Sequence, residues 1–135
     1  MGGQRIDAAP PRVLVVDDDA AVRRAAVRML THLGCEVVAV EGAEQALCAL
    51  ADEPSKLDLA MIDLSMPGVS GAELVARLRA SGDRMPILVV SGLAACDIQR
   101  QVSGERIGLL QKPYTIAELR EQVFALLGAC AGRGG

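Results

Sequence analysis

The chain has 135 residues, of which 51% are hydrophobic and 23% are charged, so it is long enough for one folded domain and too apolar for a disordered chain. Its net charge of −3, with acids and bases interspersed, lacks the basic patch typical of nucleic-acid binding. The apolar stretches are only of strand length, and the N-terminus carries no signal-peptide pattern. We therefore expect a cytoplasmic protein with no membrane partner and no nucleic-acid partner.

Apolar runs alternate with helical patterns five times along the chain. The first run, Arg12–Val16, predicts a buried strand, and apolar residues spaced three and four apart over 22–33 predict a helix that ends at Gly34. The predicted strands are 12–16, 36–40, 57–62, 86–90 and 107–111. The predicted helices are 22–33, 43–50, 74–78, 95–102 and 116–127.

Proline and glycine residues near the two ends of the chain predict one domain with a short segment on each side. Residues 1–11, which finish in two prolines, predict a flexible leader; residues 12–128 predict the folded domain; and the glycine-rich residues 129–135 predict a flexible tail. Short connections between alternating strands and helices indicate a parallel sheet with right-handed crossovers. The predicted fold class is α/β, a flavodoxin-like doubly wound parallel sheet with strand order 2-1-3-4-5.

Charged and polar residues follow the apolar runs where the predicted strands end. Asp17 and Asp18 close the first run, Asp63 the third, Ser91 the fourth and Lys112 the fifth. Because the carboxyl ends of parallel strands meet at one edge of a sheet, we expect these side chains to converge. A ligand set that consists of carboxylate oxygens, with no sulfur or imidazole ligand, favours Mg²⁺. A carboxylate beside the cation can also act as a nucleophile. The pattern therefore predicts a site for a divalent cation and a phosphoryl group.

The remaining titratable residues have simpler interpretations. Asp19 is predicted to cap the first helix, and His32 to lie solvated at the end of that helix. The four cysteines form no C-x-x-C pair and lack metal-ligand spacing, so we expect free thiols.

With these motifs the chain resembles the response-regulator receiver domains of two-component signalling and phosphorelays. The matching runs are 13–18, 62–71, 86–92 and 111–114, and the likeness extends over about residues 12–128. The resemblance implies that Asp63 accepts a phosphoryl group from a histidine kinase or a histidine phosphotransfer protein. It also implies that phosphorylation switches the conformation of the domain and so regulates a partner. By the same resemblance, the chain would be a signalling switch and not a turnover enzyme.

The resemblance further implies a Mg²⁺ site. Asp18 would bind the cation directly and Asp17 mostly through water. The phosphoacceptor Asp63 and the backbone carbonyl of Ser65 would complete the ligands contributed by the chain.

A second group of residues would bind the phosphoryl group. By the resemblance, Lys112 would contact the group, Ser91 would move toward it, and Gly92 would leave access to it. The peptide bond from Lys112 to Pro113 would be cis. Leu109 departs from the family, which often has Tyr or Phe there, so the output would need a different shift of the fifth strand and the helix before it.

The surface expected to respond comprises the helix predicted over 95–102, the fifth strand and the last helix. Such a surface would bind a protein partner or a second copy of the chain. The short ends predict either a single-domain regulator or one domain of a larger protein. The run 110–113 is similar to receivers attached to hybrid sensor histidine kinases.

Two other functions fit parts of the pattern. Asp17, Asp18 and Asp19 resemble the nucleophile motif of haloacid-dehalogenase phosphatases, although Ala21 stands where that family has Thr or Val. The second alternative is a pseudo-receiver, an interaction module that is never phosphorylated.

Overall fold

The computed structural model describes residues 10–52, 57–64, 71–80, 85–92 and 106–134. The strands are β1 (Arg12–Val16), β2 (Glu36–Val40), β3 (Leu59–Asp63), β4 (Ile87–Ser91) and β5 (Ile107–Gln111). The helices are α1 (Ala20–His32), α2 (Ala43–Asp52), α3 (Gly71–Ala80) and α4 (Ile116–Gly134). The helix predicted over 95–102 lies outside the described residues.

The five strands form one parallel sheet in the order β2-β1-β3-β4-β5, which confirms the predicted fold class and topology. The register aligns the carboxyl ends of the strands. Val16 pairs with both Val40 and Ile62, and Asp63 pairs with Val90. The residues that follow these strands therefore emerge at one edge of the sheet.

Side chains that alternate along the strands build a core on each face of the sheet. On β1, Leu14 and Val16 belong to one core, whereas Val13 and Val15 belong to the other. The first core includes side chains from α2 and α3: Ala43, Ala46, Leu50, Leu74, Val75 and Leu78. The second includes side chains from α1 and α4: Ala26, Leu30, Leu119 and Val123. Helices thus cover both faces, and the central strands β3 and β4 are buried along their whole length.

Local side-chain hydrogen bonds set the helix starts. Asp19 caps α1, as predicted, because its carboxylate accepts from the backbone N–H groups of Ala21 at 2.9 Å and Val22 at 3.2 Å. Before α4, Thr115 and Glu118 form a reciprocal capping box: Thr115 N donates to the Glu118 carboxylate, and Glu118 N donates to the Thr115 hydroxyl. The cap of α1 fixes the loop that carries the paired acids.

Several element boundaries differ from the sequence prediction. The structure has α1, α2, α3 and β4 over 20–32, 43–52, 71–80 and 87–91, whereas 22–33, 43–50, 74–78 and 86–90 were predicted. β3 starts at Leu59 and includes Asp63, whereas 57–62 was predicted. Asp63 joins the strand because it pairs with Val90, and Asp58 at the other end accepts a hydrogen bond from Arg12 N through its side chain. α4 continues to Gly134, whereas the last helix was predicted to end at residue 127. Within the described residues, no helix has the length and apolar character needed to span a bilayer.

Candidate functional site

Three carboxylates meet at the carboxyl edge of the sheet. Strand alternation continues from Val15 to Asp17 and from Met61 to Asp63, so both acids lie on the face covered by α1 and α4. Asp18 follows in the loop. One carboxylate oxygen from each of Asp17, Asp18 and Asp63 lies within 4.8 Å of the other two. Asp17 and Asp63 are only 5% and 4% exposed, whereas Asp18 is exposed to solvent.

Backbone hydrogen bonds across the sheet fix the residues at this edge. Asp17 N donates to Val40 O at 3.2 Å, and Leu64 N, directly after Asp63, donates to Val90 O at 2.9 Å. The main chain at Asp17 and next to Asp63 is therefore held by a neighbouring strand, which reduces the conformational freedom of these two carboxylates.

Lys112 brings a positive charge to the same cluster. Its Nζ lies 3.5 Å from Asp17 Oδ2 and 3.5 Å from Asp63 Oδ2, so one ammonium bridges two carboxylates. Lys112 N donates to the backbone carbonyl of Ser91 at 2.7 Å, which ties the β5 end to the β4 end. The Lys112–Pro113 peptide bond is cis, in agreement with the resemblance.

Burial and like charge make the metal-free cluster electrostatically unfavourable. Desolvation is the largest influence on Asp17 and raises its pKa above the ordinary value of 3.8, and the nearby Asp63 carboxylate also raises it. The hydrogen bond from Asp19 N and the Lys112 ammonium act in the opposite direction and only partly offset these effects. Among the residues that the structure describes, three acids thus face one ammonium, and a divalent cation would relieve the repulsion between them.

The donor set fits Mg²⁺. It consists of carboxylate oxygens, two buried and one exposed, with no imidazole or thiolate among the clustered groups of the described residues. Hard oxygen ligands of this number suit an ion that keeps several of its waters, and the exposed Asp18 leaves room for them.

Tyr114 is a member of the site that the sequence reasoning did not assign. Its half-buried ring lines a small cavity together with Asp17 and Asp63. Burial first, and then the two carboxylates, raise the pKa of Tyr114 to about 12, so its hydroxyl stays protonated at neutral pH. Tyr114 follows the end of β5 and the cis Lys112–Pro113 bond, so strand alternation gave no signal for its position.

Gly71 was also missed as a structural determinant of the site. It opens α3, and a Cβ there would collide with the backbone carbonyl of Asp63 and lie 2.7 Å from Leu64 Cα. Only glycine permits this close approach of α3 to the β3 end. A glycine at the start of an otherwise amphipathic helix was the available signal.

The structure thus brings together four of the predicted site residues, Asp17, Asp18, Asp63 and Lys112. Ser91 is fully buried at the β4 end, and the next residue, Gly92, is exposed. Ser65 lies outside the described residues, so its predicted carbonyl ligand stays a prediction. His32 is exposed in the last turn of α1, away from the cluster.

Comparison with known proteins agrees with this geometry. The "Response regulator receiver domain" family matches residues 13–124. The chain is 36% identical over 121 residues to "Response regulator MprA" of Mycolicibacterium vanbaalenii and 40% identical over 121 residues to "Transcriptional regulatory protein PrrA" of Mycobacterium tuberculosis. Each match covers 87% of this chain, and 51% and 50% of the two relatives, so the chain spans about half the length of the curated relatives it matches.

A solved structure shows the same fold. The chemotaxis protein CheY4 of Vibrio cholerae superimposes with a TM-score of 0.79 at 24% identity, over 87% of this chain and 99% of that one. Nothing in these comparisons supports the haloacid-dehalogenase alternative. The family match includes both the paired acids after β1 and Asp63 at the end of β3. The chain therefore belongs to the response regulator receiver domain family, whose members are signalling switches.

Proposed function

We propose that Asp63 is the phosphoacceptor of this receiver domain and that phosphorylation there needs Mg²⁺. The observation that carries the proposal is the bridging position of Lys112, 3.5 Å from both Asp17 and Asp63, beside a third carboxylate, Asp18. Cation ligands and a phosphoryl-binding ammonium then surround one buried carboxylate.

In the proposed reaction a carboxylate oxygen of Asp63 attacks phosphorus, and the bond from phosphorus to the imidazole of a phosphohistidine donor breaks. The imidazole leaves and takes up a proton, and an acyl phosphate remains on Asp63. Bound Mg²⁺, held by Asp17, Asp18 and Asp63, would neutralise charge on the phosphoryl oxygens. Lys112 would exchange its contact with the Asp63 carboxylate for one with the transferred group.

The new phosphoryl group would change the charge at the ends of β4 and β5. It adds about one to two negative charges at neutral pH. We propose that Ser91 and Lys112, already joined through the Ser91 carbonyl and Lys112 N, respond together. A two-state shift of these strand ends would alter the surface formed by β5 and α4.

The partners follow from the same proposal. A histidine kinase or a histidine phosphotransfer protein would supply the phosphoryl group, in the cytoplasm. The phosphorylated domain would then bind either a protein partner or a second copy of the chain. Because PrrA is named a transcriptional regulatory protein and this chain covers half of it, the expected lack of a nucleic-acid partner concerns only residues 1–135. Attachment to a hybrid kinase also stays a prediction.

Beryllofluoride, a phosphoryl mimic that forms on a carboxylate, tests the proposal without a cognate donor. We expect fluorine NMR to show a bound signal for the wild-type chain only with Mg²⁺, and none for Asp63→Asn. Asp58→Asn is the matched control, because Asp58 lies before β3, at the opposite edge of the sheet, and an amide oxygen can still accept from Arg12 N.

The outcomes separate the proposal from the pseudo-receiver alternative. Mg²⁺-dependent binding in the wild type and in Asp58→Asn, lost in Asp63→Asn, supports a phosphoacceptor. Failure of the wild type to bind favours the pseudo-receiver, and binding retained in Asp63→Asn would assign the site to another carboxylate.

A further inference from the structure

We infer that Arg23 is a positioning residue for the metal ligands Asp17 and Asp18, an inference that rests on the proposed function. Its Nη1 donates a hydrogen bond of 2.8 Å to the backbone carbonyl of Asp17, six residues earlier in the chain. The bond is partly buried, so competition from water is reduced.

The place of Arg23 in its helix indicates that the residue serves this contact. It is the fourth residue of α1, where the helix dipole disfavours a cation, and the carboxylate of the N-cap Asp19 is already engaged by backbone N–H groups of the first turn. The guanidinium instead reaches back over the helix start to the Asp17 carbonyl. Arg24, the next residue, is exposed and lacks this contact.

Arg23 completes a three-point attachment of Asp17. Asp17 N donates to Val40 O on β2. The Asp17 carboxylate accepts from Asp19 N at 2.9 Å. The Asp17 carbonyl accepts from Arg23, and this carbonyl belongs to the peptide plane shared with Asp18. Fixing that plane restricts the direction in which the exposed Asp18 carboxylate leaves the backbone.

Removal of the Arg23 guanidinium takes away both a nearby positive charge and a hydrogen bond, and these two losses predict opposite changes in Mg²⁺ affinity. Arg23 is a cation near a cation site, so its loss should tighten Mg²⁺ binding if charge alone matters. If Arg23 acts by holding the Asp17–Asp18 peptide, its loss should weaken Mg²⁺ binding, because the ligands must then be ordered at the expense of binding energy.

The test is Mg²⁺ titration by calorimetry of the wild-type chain and three variants. Arg23→Met keeps the aliphatic stem and removes the donor, and we expect the Kd for Mg²⁺ to rise about tenfold. Arg24→Met is the matched control, with the same loss of charge one residue away, and should bind as the wild type does or slightly more tightly. Arg23→Lys keeps a donor and should fall between the wild type and Arg23→Met.

Each result decides the inference. Weaker binding in Arg23→Met with Arg24→Met unaffected supports it, provided that thermal unfolding without Mg²⁺ shows a folded variant. Equal or tighter binding in Arg23→Met overturns it. If Arg23→Met does not fold, Arg23→Gln, which also removes the guanidinium and its charge, is titrated instead: weaker binding supports the inference, and equal or tighter binding overturns it. A wild-type chain that binds no Mg²⁺ would overturn the metal site of the proposed function, and the inference with it.

Discussion

Asp17 bears the clearest electrostatic conflict of any carboxylate in the site. It is 5% exposed and beside Asp63, and its carboxylate is satisfied by one backbone N–H and by an ammonium at 3.5 Å that it shares with Asp63. At a pH between the ordinary Asp value of 3.8 and the raised pKa of Asp17, the folded, metal-free chain holds a proton that the unfolded chain has already released. The buried negative charge of Asp17 thus lowers the stability of the metal-free chain.

The metal-free chain should therefore lose stability as the pH rises from the ordinary Asp value of 3.8 through the raised pKa of Asp17. Over that window the folded state binds more protons than the unfolded state, so the free energy of unfolding falls. We predict that Asp17→Asn removes this fall and stabilises the metal-free chain at neutral pH by about 1 kcal/mol. Denaturant unfolding of both chains across that pH range measures the effect.

Addition of Mg²⁺ should make the wild type more stable than Asp17→Asn. Ligand binding to the folded state raises the melting temperature of the wild type, whereas Asp17→Asn has lost a ligand and should respond less. An Asp17→Asn chain that is less stable than the wild type without Mg²⁺ would contradict this description of the cluster.

At the scale of elements, the junction of β3 with α3 determines where Asp63 lies. α3 begins at Gly71, whose missing side chain lets the helix contact the backbone of Asp63 and Leu64. The atoms that a Cβ would meet belong to the main chain of a central strand, so they cannot move aside without disturbing the sheet.

We predict that Gly71→Ala lowers the free energy of unfolding by about 1–3 kcal/mol, the usual range for overpacking. Because the displaced atoms include the Asp63 carbonyl, beryllofluoride binding should weaken as well. Chemical denaturation and fluorine NMR measure the two effects.

Gly128→Ala is the matched control for that substitution. Gly128 lies within α4, and among the described residues a Cβ there meets no atom within 4 Å. Alanine should stabilise this helix by about 0.5–1 kcal/mol and leave the site unchanged. Equal effects of the two substitutions would show that the close approach of α3 is not a constraint on Asp63.

At the scale of the whole molecule, topology gathers residues that are far apart in sequence. Asp17, Asp63 and Lys112 converge because β1, β3 and β5 are parallel and end at the same edge. This could be predicted from the sequence, since each residue directly follows an apolar run and the order of a doubly wound sheet is restricted. The bounds of β1, β2 and β5 followed from the same runs.

Other features could not be predicted because they depend on contacts across loops. Periodicity shows which face of a helix is buried, but it does not show that Arg23 turns back to the Asp17 carbonyl. The role of Gly71 depends on the distance between a helix start and a strand end. The burial of Tyr114 depends on the path of the chain between β5 and α4. Such contacts are set by three-dimensional packing.

Intact-mass measurement after incubation with Mg²⁺ and acetyl phosphate is the most direct test of whether Asp63 accepts the phosphoryl group. We predict one phosphoryl adduct on the wild type and on Asp58→Asn, and none on Asp63→Asn or when Mg²⁺ is removed. An adduct that persists on Asp63→Asn, or that forms equally well without Mg²⁺, would contradict the account.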